Sequence, residues 1–209
     1  MPLPRADLTV LTATIPGREH LLAEALKSVY AQTLEVECHL VMAQSCSEGL
    51  QPTLHVGLQQ NLLLRAVETE WVMRLADDDQ LLPIHVGTLM AEAVDADVIY
   101  SYDASKNRPW LDCNEWGQEK IALEIEDYNW IDGSAVLIRT ELLKQVGGYP
   151  TDWVGNNEDY REGHFEGMKA NCDDWGAWVR LARIGARFKC IPEPTWRYGS
   201  GEWTRISNE

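Results

Sequence analysis

Three consecutive aspartates, Asp77, Asp78 and Asp79, directly follow the short apolar segment Trp71-Val72-Met73-Arg74-Leu75-Ala76. In that place they end a predicted strand. Carboxylates crowded at a strand terminus repel one another and need a countercharge. A hard divalent cation with oxygen ligands, Mg²⁺ or Mn²⁺, supplies one, and such ions in enzymes often hold phosphates. The plainer alternative is a solvated acidic turn, for which Asp is a favoured residue.

The 209 residues suggest one domain, long enough to bury a substantial core. A formal net charge of −15 is the wrong sign for a groove that tracks a nucleic-acid backbone or for attachment to anionic lipid. No apolar run approaches the ~20 residues of a membrane span, and the N-terminus does not read as a secretory signal. Cys38, Cys46, Cys113, Cys172 and Cys190 are scattered and lack CxxC spacing. Free thiols in a reducing cytoplasm account for them most simply. Nine tryptophans suit sugar rings, but they are also ordinary core material.

The aspartates need a frame to position them, and the periodicity predicts one. Strand character runs over Leu8 to Thr14, Val36 to Ala43, the segment before Asp77, and Val98 to Tyr100. Helical spacing runs over His20 to Gln32, Leu58 to Val67, and from Pro83 to Ala93. Alternation of this kind favours a three-layer α/β/α domain with a mostly parallel central sheet. In such sheets ligands bind beyond the carboxyl ends of the strands. Thr14, the loop at Gln44 and the aspartate run all fall there. Residues Asp103 to Asp132 read as a polar, Trp-containing excursion. Strand character resumes at Ser134 to Ile138, and Thr140 is placed to cap a short helix closed by Gly147-Gly148. Thr151 to Ala170 reads as a loop, Asp174 to about Gly185 as an amphipathic helix, and Arg187 to Ile191 as the last strand.

Four blocks of the chain resemble the family 2 glycosyltransferases, inverting enzymes of the GT-A fold. LTATIPGREHLLAEALKSVYAQTL is similar to that family's first strand, nucleotide-binding turn and first helix. EWVMRLADDDQLLPIHV is similar to its metal-binding block, in which a DxD-type acidic cluster precedes a leucine and a proline. IDGSAVLIRTELLKQVGGYP is similar to its Gly-Ser strand, helix and Gly-Gly-aromatic turn, and CDDWGAWVRLARIGARFKCIPEPTWRY to its base-bearing helix and last core strand. The blocks keep the family's order over roughly two thirds of the chain.

The resemblance implies a single GT-A domain over residues 1–209, with a nucleotide-binding half to about residue 102 and an acceptor-side half beyond it. It implies sugar transfer from a nucleotide-sugar donor to an acceptor hydroxyl on a saccharide, a lipid-linked molecule or a protein. Thr14, Pro16 and Arg18 match the turn that contacts the nucleotide, and Asn61 a polar position on the helix before the metal strand. Counting back from Pro83, the family's first acidic position falls on Ala76 and its last on Asp78. Asp78 is therefore the expected direct metal ligand, with Asp77 nearer the ribose and Asp79 supporting. Asp174 matches the catalytic base, with Glu158-Asp159 a rival pair. An aspartate that reads the nucleobase in many members is replaced by Gln44-Ser45-Cys46, and the tail at Tyr198-Gly199 lacks a metal-binding histidine found in some GT-A enzymes.

Structural alternatives stand beside these roles. Asp174 is also well placed as a helix N-cap. Arg18 also suits a solvated helix start, Asn61 a structural bond, and Trp110, Trp116 and Trp130 either an acceptor platform or packing. A nucleotidyltransferase that makes a nucleotide-sugar is the competing enzymatic reading. A catalytically inactive sugar- or nucleotide-binding module on the same fold is the non-enzymatic one.

Overall fold

The structure, a computed structural model, describes residues 4–43, 56–104, 113–151 and 173–199. In chain order the elements are β1 (Arg5–Thr14), α1 (Glu19–Tyr30), β2 (Glu35–Ala43), α2 (Val56–Leu64), β3 (Trp71–Arg74), β4 (Gln80–Leu81) and α3 (His85–Ala91). They continue as β5 (Val98–Asp103), α4 (Gln118–Asp127), β6 (Val136–Arg139), α5 (Thr140–Gln145), α6 (Asp173–Arg183) and β7 (Phe188–Arg197). The strands form one sheet in the order β2-β1-β3-β6-β5-β7-β4. Strands β1, β2 and β3 pair in parallel, as do β5 and β7. β6 lies antiparallel between β3 and β5, and β4 antiparallel on the edge beside β7. Strands from both halves of the chain therefore share one sheet.

Successive strand side chains point to opposite faces, and that alternation builds the layers. Leu8, Val10, Trp71, Met73, Ile99 and Leu137 face one way and are covered by Ala25 and Val29 of α1 and by Val86 and Leu89 of α3. Leu11, Val72, Val98, Tyr100, Val136 and Ile138 face the other way. They pack under Leu63 of α2, Ile121 and Ile125 of α4, Leu143 of α5, and Trp175 and Trp178 of α6. The result is the three-layer α/β/α arrangement read from the sequence. No helix among the described residues is long and apolar enough to cross a membrane.

Three details differ from the sequence expectations. The excursion after Asp103 contains helix α4, which buries Ile121 and Ile125 in the core and leaves Leu123 exposed. The last strand does not stop before Pro192 but runs to Arg197. Register shifts between Ser101 and Asp103 of β5 accommodate Pro192 and Pro194, which have no N–H to give the ladder. Thr140 is the first residue inside α5 rather than its cap, and no side-chain capping bond forms there. Trp130 is core, set edge-on to Trp116 with ring centroids 5.6 Å apart. The loops at Gln44 and Glu158-Asp159, together with Trp110, lie outside the described residues.

At the amino-terminal edge of β5, away from the aspartate run, Asp97 gathers two arginines. Arg187 donates through Nε and Nη2 at 2.9 and 3.0 Å, and Arg139 through Nε at 3.1 Å. These guanidinium bonds hold the Asp97 carboxyl down to about 2. The cluster ties the starts of β5 and β7 to the end of β6, so the opposite edge can be given over to loops.

Candidate functional site

Because β1 and β3 are parallel neighbours, the residues that follow them emerge side by side. The chain leaves β3 through Leu75, whose N–H donates to the Leu11 carbonyl at 2.9 Å, and then turns, with the Asp79 N–H on the Ala76 carbonyl at 3.2 Å. This turn sends the three aspartates in three directions. β6 is antiparallel to β3, so the residues preceding it, Asp132 to Ala135, come to the same edge. The ends of β5 and β7 and the start of α6 complete the rim.

Asp77 faces β1 and α1. Its Oδ2 accepts from the Thr14 hydroxyl at 2.6 Å and from Arg18 Nε at 2.9 Å, and its Oδ1 accepts from Arg18 Nη2 at 2.8 Å. The same Nη2 lies 2.8 Å from Oδ2 of Asp78. A bidentate guanidinium pair of this type is among the stronger and more directional polar contacts. It pushes the Arg18 guanidinium further toward its charged form. Arg18 is thus neither solvated nor free: it is the countercharge of the aspartate run.

Asp79 turns inward and is 1 % exposed. Its Oδ1 accepts the Gly199 N–H at 2.8 Å, and the Ser134 hydroxyl donates to the same carboxyl. Ser134 in turn accepts the Ala76 N–H at 3.0 Å. Burial outweighs these bonds and raises the Asp79 carboxyl to about 7. Gly199 packs so tightly on Asp78 that an added β-carbon would collide with the Asp78 carbonyl. The neighbouring Tyr198 N–H donates to buried Asp103 at 2.9 Å. The segment after β7 is therefore pinned by two carboxylates, Asp79 of the aspartate turn and Asp103 at the end of β5.

The raised Asp79 carboxyl fixes the sign of a pH effect. Its neutral form is favoured in the folded state, so the stability it lends is fully present below about pH 4. That stability is lost as pH rises toward about 7. We expect metal-free wild type to lose stability against Asp79→Asn over that window, by on the order of 4 kcal/mol. Urea denaturation in EDTA at pH 4.5 and pH 8 reads the difference. Equal losses in both proteins would show that Asp79 ionises in the folded state as freely as in the unfolded chain.

Asp174 sits in the first turn of α6. Trp175 anchors it, its indole N–H donating to the Ile125 carbonyl at 2.5 Å, and Trp178 is fully buried. The Asp174 Oδ1 accepts the N–H of the next residue, Trp175, at 2.7 Å, but α6 already begins at Asp173, so Asp174 lies inside the helix rather than at its cap. Its Oδ2 lies 2.7 Å from the point that a β-carbon on Gly133 would occupy. Gly133 adjoins Ser134, which touches Asp79, so the Asp174 carboxylate stands on the same rim as the aspartate turn. Gly133→Ala should force that carboxylate aside.

Asn61 plays a different part from the others. Its Nδ2 donates to the Tyr149 carbonyl at 2.7 Å and its Oδ1 accepts the Tyr149 N–H at 2.8 Å. Both ends of the amide are spent on fastening the turn after α5 to α2. Ser134, Gly133 and Gly199 were not singled out as site residues in the sequence. The only signal was the Gly-Ser pair before a strand, which by itself fits an ordinary turn.

Among the described residues, no three His, Cys, Asp or Glu side chains converge as a metal cage. Asp77 is saturated by Thr14 and Arg18, and Asp79 is buried against Gly199 and Ser134. Asp78 keeps a side chain 26 % exposed, and a cationic group already rests on it. One accessible hard carboxylate suits a Mg²⁺ or Mn²⁺ ion that brings water and phosphate oxygens as its other ligands, and does not suit an all-protein site.

No family profile matches the chain, and no curated protein does. Solved structures do match. Staphylococcus aureus TarS 1-349 is similar over 92% of this chain and 60% of its own, at TM-score 0.65 and 15% identity. The mannosyltransferase PcManGT from Pyrobaculum calidifontis, in complex with GDP-Man and Mn²⁺, is similar over 95% and 58%, at TM-score 0.62 and 16% identity. The catalytic domain of Drosophila β1,4-galactosyltransferase 7, in complex with xylobiose, is similar over 95% and 73%, at TM-score 0.57 and 13% identity. The chain has the fold of these glycosyltransferases, the GT-A fold. It spans about three fifths of the length of TarS 1-349 and of PcManGT.

Proposed function

We propose that the chain is a metal-dependent, inverting glycosyltransferase that moves a sugar from a nucleotide-sugar donor to an acceptor hydroxyl. The observation that carries this reading is the joined group Thr14, Arg18, Asp77 and Asp78 at the carboxyl ends of β1 and β3, with Asp174 on the same rim. The fold adds support. TarS 1-349 has been seen with UDP-GlcNAc, PcManGT with GDP-Man and Mn²⁺, and a galactosyltransferase 7 mutant with manganese, UDP-Gal and xylobiose.

In this reading the donor lies over the turn from Thr14 through Pro16 to Arg18, with its base toward the loop at Gln44. Asn61 is left out of the donor site, because its amide is committed to Tyr149. Asp78 holds the cation, Asp77 fixes Arg18, and Asp79 braces the turn from behind. A divalent cation bound by Asp78 and the donor phosphates would neutralise the charge that develops on the leaving diphosphate. Asp174 accepts the proton of the acceptor hydroxyl as that oxygen attacks the anomeric carbon. Attack from the face opposite the diphosphate inverts the stereocentre. Residues 1–102 then serve mainly the donor and 103–209 mainly the acceptor, within one domain.

A thermal-shift screen of UDP, GDP, CDP and ADP, each with and without Mn²⁺, tests the donor site, since a ligand that binds the folded state raises its stability by mass action. Stabilisation by at least one nucleotide, only when Mn²⁺ is present, is the expected result. Absence of any nucleotide effect under both conditions would refute it.

A further inference from the structure

Arg18 touches both Asp77 and Asp78 through a single nitrogen, Nη2, at 2.8 Å to each. Its Nε is meanwhile engaged by the second oxygen of Asp77, at 2.9 Å. The guanidinium is therefore held on Asp77 by two bonds and on Asp78 by one. The Asp77 pair is also braced by the Thr14 hydroxyl and is the more buried, with side-chain exposures of 9 % for Asp77 and 26 % for Asp78. Of the two attachments, the one to Asp78 is the one that can open without unseating the arginine.

Asp78 is also the carboxylate proposed to hold the divalent cation. A cation arriving alone would have to displace the Arg18 contact. It would then sit beside a guanidinium still fixed on Asp77, and two like charges at that range in a half-buried turn repel strongly. A cation arriving with a diphosphate meets no such cost. The phosphate oxygens neutralise the metal and offer the guanidinium a new planar, bidentate partner. We propose that Arg18 is a latch on the aspartate turn, holding Asp78 in the nucleotide-free protein and exchanging it for donor phosphate when the cation and the diphosphate enter together. This rests on the assignment of a nucleoside diphosphate and a metal to this site. It adds an order of binding: the metal–nucleotide complex goes in as a unit, and the metal alone is refused.

The test uses the full chain and Mn²⁺ alone, with free Mn²⁺ read by its electron paramagnetic resonance signal. Wild type should leave Mn²⁺ essentially unbound without nucleotide. Arg18→Gln should bind it at least about tenfold more tightly, because the carboxylates lose their built-in cation. Adding Asp78→Asn to Arg18→Gln should remove that binding. If Arg18→Gln fails to fold, Arg18→Met, which keeps an unbranched stem but no charge, is read in the same way. Mn²⁺ binding by wild type as tight as by the variant would overturn the latch, as would a folded variant that gains no Mn²⁺ binding. In either case wild type that takes up Mn²⁺ together with UDP or GDP would leave the proposed function intact. Gain of Mn²⁺ binding in the variant, with nucleotide binding that ignores metal in both proteins, would keep a latch on Asp78 but overturn its exchange with donor phosphate and the proposed metal dependence.

Discussion

Asp174→Asn should abolish most transfer, lowering single-turnover rates by about 10²-fold or more, while donor binding stays as in wild type. The substitution keeps a side-chain oxygen for the Trp175 N–H, the bond that Asp174 Oδ1 makes at 2.7 Å, so helix α6 should start where it does now. Its packing through Trp175 and Trp178 is untouched. What is lost is the charge of the carboxylate next to Gly133. A drop in rate without a drop in melting temperature assigns the effect to proton transfer. Asp159→Asn, measured alongside, covers the rival carboxylate. Near-normal turnover in the first variant with loss in the second would move the base to the loop.

Asp78→Asn should weaken metal-dependent nucleotide binding by about 10²-fold. Groups that merely orient a metal ligand already cost up to that much when removed. Asp79→Asn should do far less. The Asp79 carboxyl is buried, is raised to about 7, and has both its roles met by Gly199 and Ser134. Titration calorimetry with Mn²⁺ and the best nucleoside diphosphate separates the two variants. Undiminished, metal-dependent binding by Asp78→Asn would remove that residue from the metal site.

Much of the frame could be read from the sequence because it rests on periodicity. Leu8 to Thr14 and Val36 to Ala43 alternate or run apolar in ways only strands explain, and the observed β1 and β2 extend those spans by one to three residues at their starts. Direction could not be read. The segment Val136-Leu137-Ile138 carries alternating faces whichever way it runs, and only its neighbours make it antiparallel. Helix α4 escaped notice because half of Gln118–Asp127 is charged and only Ile121 and Ile125 are buried. Pro192 looked like a strand terminator, and the register shifts that absorb it depend on β5, more than eighty residues earlier.

The site divided along the same line. The carboxylates were conspicuous, but their separate duties were not. A run of three identical residues carries no sign of which one points inward. The tight turn from Ala76 to Asp79 decides that, and its partners Arg18, Ser134 and Gly199 come from three distant parts of the chain. Asn61 is the converse case. The family resemblance offered it as a polar position beside the donor and its residue type as a structural bond, and what separates the two is the backbone of Tyr149, far away in sequence, which holds its amide at both ends.

The most direct test of the central claim is a single-turnover assay with donors labelled in both the sugar and the nucleoside. It would be run with Mn²⁺ over a panel of UDP- and GDP-sugars, with simple saccharides as acceptors. The labelled sugar should appear on an acceptor with inverted anomeric configuration, in step with free nucleoside diphosphate, and EDTA should stop both. Exchange of pyrophosphate into the donor would instead mark a nucleotidyltransferase. Tight donor binding with no turnover on any acceptor would mark a binding module, and either result would contradict the assignment.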